Sequence, residues 1–207
     1  MKKLLVSLGF LLATTTAYAD ITLPNPQTSE GIGVFDALKK RSSTPGGGFT
    51  AGSISDEQLS TILWSASGLN RGKTGWTVPM ATGKAPYVKL YVAGANGAFK
   101  YNWDGHYLQN INDSDIRGDI GLQNFVKRAT YSIIFVADGE ALSAYDAEKA
   151  NNFSQIAVGA MSQNIYLACA SLKLKCRYIH SIKPNIISEE LKLDSNDKPI
   201  GIMLIGK

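Results

Sequence analysis

From Asn152 to Leu172 the chain reads NFSQIAVGAMSQNIYLACASL, a stretch without a single charged residue and rich in Ala, Gly and Ser. A run this long, apolar on nearly every side, predicts a helix, and such a helix must be central to a fold or lie at a subunit interface. A membrane span is the weaker alternative. Asn152, Ser154, Gln155, Ser162, Gln163, Asn164 and Ser171 would all lose their water in lipid.

The remaining elements are read around that helix. Ser55 and Gln58 form a capping box opening SDEQLSTILWSASGLN, with Leu59, Ile62, Leu63 and Ala66 on one face and Gly68 as the stop. Ile32, Phe35 and Leu38 give Gly31 to Lys40 the spacing of a short amphipathic helix. Tyr87 to Ala93, Ala98 to Trp103 and His106 to Ile111 alternate with Asn96-Gly97 and Asp104-Gly105, the turn pairs of an antiparallel meander. Asp113 to Arg128 is a helix candidate packing Ile116, Ile120, Phe125 and Val126, and Tyr131 to Ala137 (YSIIFVA) is a buried strand. Two further strands, at Cys176 to Ile182 and Pro199 to Gly206, flank a short helix at Ile186 to Leu193. The sum, about five strands and five or six helices, is an α+β domain: a mainly antiparallel five-stranded sheet flanked by helices.

The N-terminus predicts export. Lys2 and Lys3 precede the apolar run Leu4 to Leu12 and the triplet Ala17-Tyr18-Ala19, the layout of a secretory signal peptide over residues 1–19. Cleavage there would send the chain to the periplasm or the medium with no membrane anchor. Residues 20–30, broken by Pro24 and Pro26, read as an extended arm, either disordered or wrapped on a partner subunit, and 31–207 as the folded domain. The formal charge of +4 falls to 19 − 17 = +2 once Lys2 and Lys3 are removed, and no run of five or six basic residues exists, Lys39-Lys40-Arg41 being the only close cluster, so nucleic acid is not an expected partner. An oxidising compartment permits a disulfide between Cys169 and Cys176, but neighbours on a helix and the following strand often point apart, which favours two buried thiols.

Side chains for catalysis are scarce. No G-x-S-x-G, H-E-x-x-H or metal-spaced Cys/His set is present. Of the two histidines, His106 is expected at the surface beside a turn and His180 at an alternating strand position as a satisfied structural residue. Lys39-Lys40-Arg41-Ser42-Ser43, at a helix end, suits a phosphate, or simply a solvated basic helix terminus.

Taken in order, LKKRSS, then ISDEQLSTILWSASGLNR, then T-V-P-x-A before a strand, then a hairpin ending Y-x-W-D, then GAMSQNIYLACASLKLK, the chain resembles the nitroreductase family of flavoproteins, in the compact branch that includes the peptide-azoline dehydrogenases. The resemblance runs from about Gly31 to the end. It implies an FMN-binding homodimer with two flavin sites at the interface. The family's R-R-S-x-R pattern for the flavin phosphate and ribityl chain falls on Arg41, Ser42, Ser43, Thr44 and Pro45; a one-residue shift would match Lys40, Arg41 and Ser42 instead. Its R-T-x-P-S-A-x-N-x-Q loop, which runs under the flavin ring, falls on Trp76 to Ala85. Cofactor contacts are thereby implied at Pro79, Met80, Ala81, Gly83 and Lys84. Thr77, Pro79 and Ala81 match the loop, and Lys84 matches some relatives. Trp76, Met80, Gly83 and Ala85 replace Arg, Ser, Asn and Gln, and Lys173 replaces a Gly before the last core strand.

Two functions follow from that resemblance. One is an exported FMN-dependent oxidoreductase passing two electrons through flavin N5 to a nitroaromatic, quinone or similar small-molecule acceptor, with no protein residue required as the catalytic acid. The other is a non-enzymatic dimeric ligand-binding relative that keeps the fold and has lost or weakened FMN binding.

Overall fold

The computed structural model describes residues 19–50, 52–83 and 85–207. Most of the expected leader, residues 1–18, lies outside the described residues, as does Lys84. Among the described residues no helix is long and apolar enough to cross a membrane.

A seven-stranded sheet organises the chain. The meander forms as expected: β4 (Val88–Gly94), β5 (Gly97–Asn102) and β6 (Tyr107–Asn112), given β1 (Ile21–Thr22) in the arm and a small ribbon, β2 (Leu69–Arg71) with β3 (Gly75–Trp76). The β4–β5 turn uses Gly97 at φ +130°, a backbone shape that only glycine adopts without strain. Then come β7 (Tyr131–Ala137), β8 (Lys175–Ile179) and β9 (Lys198–Gly206), in spatial order β1-β6-β5-β4-β7-β9-β8, every pair antiparallel. Seven strands replace the five expected: six segments carry strand patterns in the sequence, and the arm adds an edge strand too short to show in one.

Among the described residues four α-helices cover the sheet: α1 (Val34–Lys40), α2 (Asp56–Ser67), α3 (Ala147–Ser171) and α4 (Pro184–Glu190). The capping box of α2 forms in both directions, Ser55 Oγ accepting from Gln58 N–H and the Gln58 side chain from Ser55 N–H. Alternation along the strands feeds two cores. Ile133 and Phe135 of β7 pack with Leu59, Ile62 and Leu63 of α2 and Met161 and Ile165 of α3; Ile134 and Val136 pack on the other face with Ile116, Ile120, Val126 and Ile187. A sheet covered on both faces explains why its strands read as continuous apolar runs.

The segment 113–128 is not the helix its periodicity suggested. Only a 3-10 turn forms, at Val126–Arg128. Asn112 Oδ1 accepts from Ser114 N–H and Asp115 Oδ1 from Arg117 N–H, local bonds that divert the backbone from helical pairing, while Arg117 reaches the Ala129 and Thr130 carbonyls. Ile116, Ile120 and Val126 still reach the core.

The arm packs on its own chain. Ile21 and Thr22 pair with Leu108 and Tyr107, Asp20 accepts from Asn110 N–H, and Gln27 N–H donates to Thr61 Oγ1. His106 fastens it and is half-buried, not on the surface as its turn position suggested. Its Nε2 lies 3.1 Å from the Pro24 carbonyl and 2.7 Å from Ser60 Oγ, and its Nδ1 2.9 Å from the Tyr101 hydroxyl. Since the carbonyl only accepts, Nε2 carries the proton and Nδ1 accepts from Tyr101. Burial lowers the His106 pKa below its ordinary value. His180 departs the other way: β8 ends at Ile179 and the ring is exposed. Cys169 and Cys176 are free buried thiols, as expected; their mutual hydrogen bond and burial push the Cys169 thiol well up.

Candidate functional site

The helix α3, uncharged from Ala150 onward, is the axis of the candidate site, and its two sides carry different halves. Gln155, Val158, Gly159, Ser162, Gln163 and Tyr166 line one side of a groove of about 390 Å³, with Tyr178 of β8 opposite. Volumes of this order suit small ligands. α1 ends at its rim. Arg41 is the C-cap of α1, its backbone N–H bonded to the Ala37 carbonyl, and the chain then leaves helical geometry. That turn carries the Arg41 guanidinium to 5.3 Å from the centre of the Tyr166 ring, and among the described residues it makes no ion pair. Ser43 Oγ lies 2.9 Å from the Tyr166 hydroxyl, which also accepts from Tyr178 N–H at 2.9 Å. Thr44 then anchors the segment to β8 through its N–H to the Cys176 carbonyl. Ser42 and Ser43 are exposed.

One polar atom in the groove is unsatisfied. Ser162 is 7% exposed, and its buried hydroxyl has no hydrogen-bond partner. Such a group costs free energy unless something else pairs with it. A cation, an orphaned hydroxyl, exposed serines and two aromatic rings fit the anionic, polyhydroxylated tail of a flavin nucleotide. No residue among those described forms a cluster able to hold a metal ion.

The second expected half, the loop after β3, lies across the helix. Asn164 Nδ2 donates to the Thr77 and Ser65 carbonyls, fixing the start of the loop against α2 and α3. Ala81 N–H donates to the Tyr87 hydroxyl, which donates to the Phe153 carbonyl. Gly83, at φ +65°, closes a turn by donating to the Met80 carbonyl. Pro79, Ala81 and Gly83 are exposed, while Met80 packs partly into the core. Two residues apart on a helix with 3.6 residues per turn, Ser162 and Asn164 face roughly opposite sides, and Phe153 and Tyr166 stand about 20 Å apart along the axis. The structure thus brings Arg41 and Ser43 together with the groove and keeps Pro79, Met80, Ala81 and Gly83 away from it.

Between the two halves α3 exposes Asn152, Ile156, Gly159 and Gln163, with Ile156 at 66%. A Cβ built on Gly159 meets nothing within 4 Å. Beside this stripe α1 exposes Val34, Phe35 and Leu38, at 58%, 76% and 47%. The amphipathic spacing of α1 is therefore real, but Phe35 and Leu38 face outward and Ala37 is its buried residue.

Tyr166, Tyr178 and Ser162 were missed from the sequence. Only the uncharged, small-residue character of 152–172 signalled that this helix face is used, and nothing local tied Tyr166 to Ser43, 123 residues away. Trp76, in the place of the loop's arginine, packs edge-on to Trp103 with centroids 5.6 Å apart, and its buried Nε1 has no partner.

A mainly antiparallel sheet flanked by helices, with a cation–serine segment at a groove along the longest of them, defines an α+β fold with a candidate small-molecule site. The model of the nitroreductase family matches residues 38–207, and the chain belongs to that family, one of oxidoreductases. A Methanocaldococcus jannaschii protein described as a candidate nitroreductase is 27% identical over 197 residues, 91% of this chain and 96% of the relative. A solved candidate nitroreductase of Ralstonia eutropha is 31% identical, superposes with a TM-score of 0.86, and covers 97% of this chain and 96% of its own. The NADPH:FMN oxidoreductase of Vibrio harveyi, solved with NAD+, shares the fold at 20% identity and a TM-score of 0.59, over 84% of this chain and 67% of that one.

Proposed function

We propose that this protein is an exported FMN-dependent oxidoreductase, active as a homodimer, that passes two electrons to a nitroaromatic, quinone or similar small acceptor. The observation that carries the reading is the groove, where an unpaired Arg41 and an orphaned Ser162 hydroxyl flank two tyrosine rings. Family membership and a fold neighbour named for FMN support it. Bound there, FMN would supply hydride chemistry at N5, so the scarcity of acids and bases in the chain is no obstacle.

The chain's own work is binding, orientation and exclusion of water. Arg41 and Ser42–Ser43 would hold the phosphate end, and Ser162 and Gln163 offer hydrogen bonds to the polyol. The exposed backbone of Pro79–Gly83 would cover the ring of a site on a second copy. This division requires two chains, because α3 separates the halves within one. The uncharged stripe at Ile156 and the apolar face of α1 are the surface on which a second copy would seat, and Gly159 lets a helix approach closely. A leader ending at Ala19 supports export.

A flavin-free binding protein is the second reading, favoured by Trp76 and Met80, which turn into their own chain where the family offers polar groups. One titration separates the two. The chain expressed from Asp20 is expected to retain a yellow chromophore, or to quench FMN fluorescence on addition. Absence of both overturns the enzyme. Arg41→Ala removes a charge-assisted contact worth about 1.5–3 kcal/mol, so FMN affinity should fall roughly 10- to 100-fold.

A further inference from the structure

Tyr166 lies within GAMSQNIYLACASLKLK but is not among the residues that the resemblance implies as cofactor contacts, yet it is the hub of the groove's charged end. Its hydroxyl accepts from Tyr178 N–H at 2.9 Å and stands 2.9 Å from Ser43 Oγ, and its ring lies beneath the Arg41 guanidinium. The backbone of β8, the side chain of α3 and the segment following α1 therefore meet at one oxygen. One turn back along α3, Ser162 lines the same groove, and its buried hydroxyl has no partner.

Resting on the flavin reading above, we infer that Tyr166 is a positioning residue for the cofactor's phosphate. The Tyr178 N–H occupies one lone pair of the phenol oxygen, and of the two hydroxyls the phenol is the more acidic and therefore the better donor, so its hydrogen goes to Ser43 Oγ. The hydroxyl hydrogen of Ser43 is then left to donate outward, beside a guanidinium held over the same ring. Two donors are thus preset toward one anion before it arrives. Preorganisation of this kind raises affinity by sparing the ordering cost on binding. It also compensates for the family's second and last basic residues, which are Ser42 and Pro45 in this chain. Ser162 adds a direct contact to the hydroxylated chain between phosphate and ring.

Paired titrations with FMN and riboflavin, which differ only in the phosphate, test the assignment by flavin fluorescence. Tyr166→Phe keeps the ring under Arg41 and removes the hydroxyl. It should weaken FMN about tenfold and riboflavin less than twofold, while the Tyr178 N–H left without its partner lowers the thermal midpoint by a few degrees, whichever flavin is present. Tyr166→Leu also removes the cation–ring contact and should cost FMN about a further threefold. Ser162→Ala should weaken both flavins alike. The inference is overturned if Tyr166→Phe leaves FMN affinity unchanged, if it weakens both flavins equally, or if the wild-type protein does not prefer FMN. A wild-type protein that binds neither flavin overturns the flavin reading, and this inference with it.

Discussion

Replacing Ile156 by lysine tests the composite site directly. Ile156 projects from the middle of the uncharged stripe of α3 and is 66% exposed in a single chain. Full burial of an isoleucine side chain is worth about 1.5–3 kcal/mol, so covering the remaining two-thirds gains about 1–2 kcal/mol. A two-fold interface uses the residue twice, which makes the loss about 2–4 kcal/mol per dimer before the cost of burying two ammonium groups. The dimer dissociation constant should therefore rise by at least 30-fold and, with the charge included, by several hundred-fold. Lysine is a good helix former, so α3 itself should persist. Sedimentation velocity across a concentration series measures the dimer, circular dichroism checks the fold, and FMN titration at the same concentrations follows the site. Dimer and FMN affinity should fall together while the spectrum is retained. A variant that stays dimeric refutes the interface, and a folded monomer with full FMN affinity refutes the composite site.

Two further perturbations probe the scaffold. Asp197 is nearly inaccessible, accepts from Lys89 Nζ at 2.8 and 3.0 Å and from Gly139 N–H at 3.1 Å, and ties β4 to the entrance of β9. Asp197→Asn strands a largely buried ammonium, relieved in part by Asp138 at 3.4 Å; about 2–3 kcal/mol should be lost, a melting point lower by roughly 5–10 °C, and a change under 1 °C would contradict this account. His106 has a folded pKa below its unfolded value of about 6.5, so the unfolded chain binds more protons and stability falls as pH drops through that unfolded value toward the folded one. Urea midpoints should be lower at pH 5.5 than at 7.5, with part of that difference abolished in His106→Gln; identical pH slopes for the two proteins would remove His106 as the cause.

Much of the fold is legible where a pattern is long and local. YSIIFVA coincides with β7, the capping box opens α2, and the uncharged run from Asn152 lies within α3 up to its C-cap at Leu172. Readings failed where distant partners decide. Ile116 and Ile120 have helical spacing, but side-chain bonds from Asn112 and Asp115 hold that segment in turns. β1 is two residues long and exists because β6 offers an edge. His106 looked superficial beside its turn, yet its partners Pro24 and Ser60 are 82 and 46 residues away. The candidate site was half legible for the same reason. Arg41 and Ser43 stand in a recognisable string, whereas Tyr166 matters through a contact that only folding creates.

The position of α3 as a wall between the groove and the Pro79–Gly83 loop has a genetic corollary. If each site borrows its cover from the neighbouring chain, a lesion at Arg41 and a lesion in the loop damage different contributions to the same site. A mixed dimer with one lesion in each chain then holds both faults in one site and neither in the other. Two chains, each inactive by itself, would together restore up to half the sites of the intact protein in every mixed pair. Such a division of labour across α3 would make defects in this gene capable of rescuing one another.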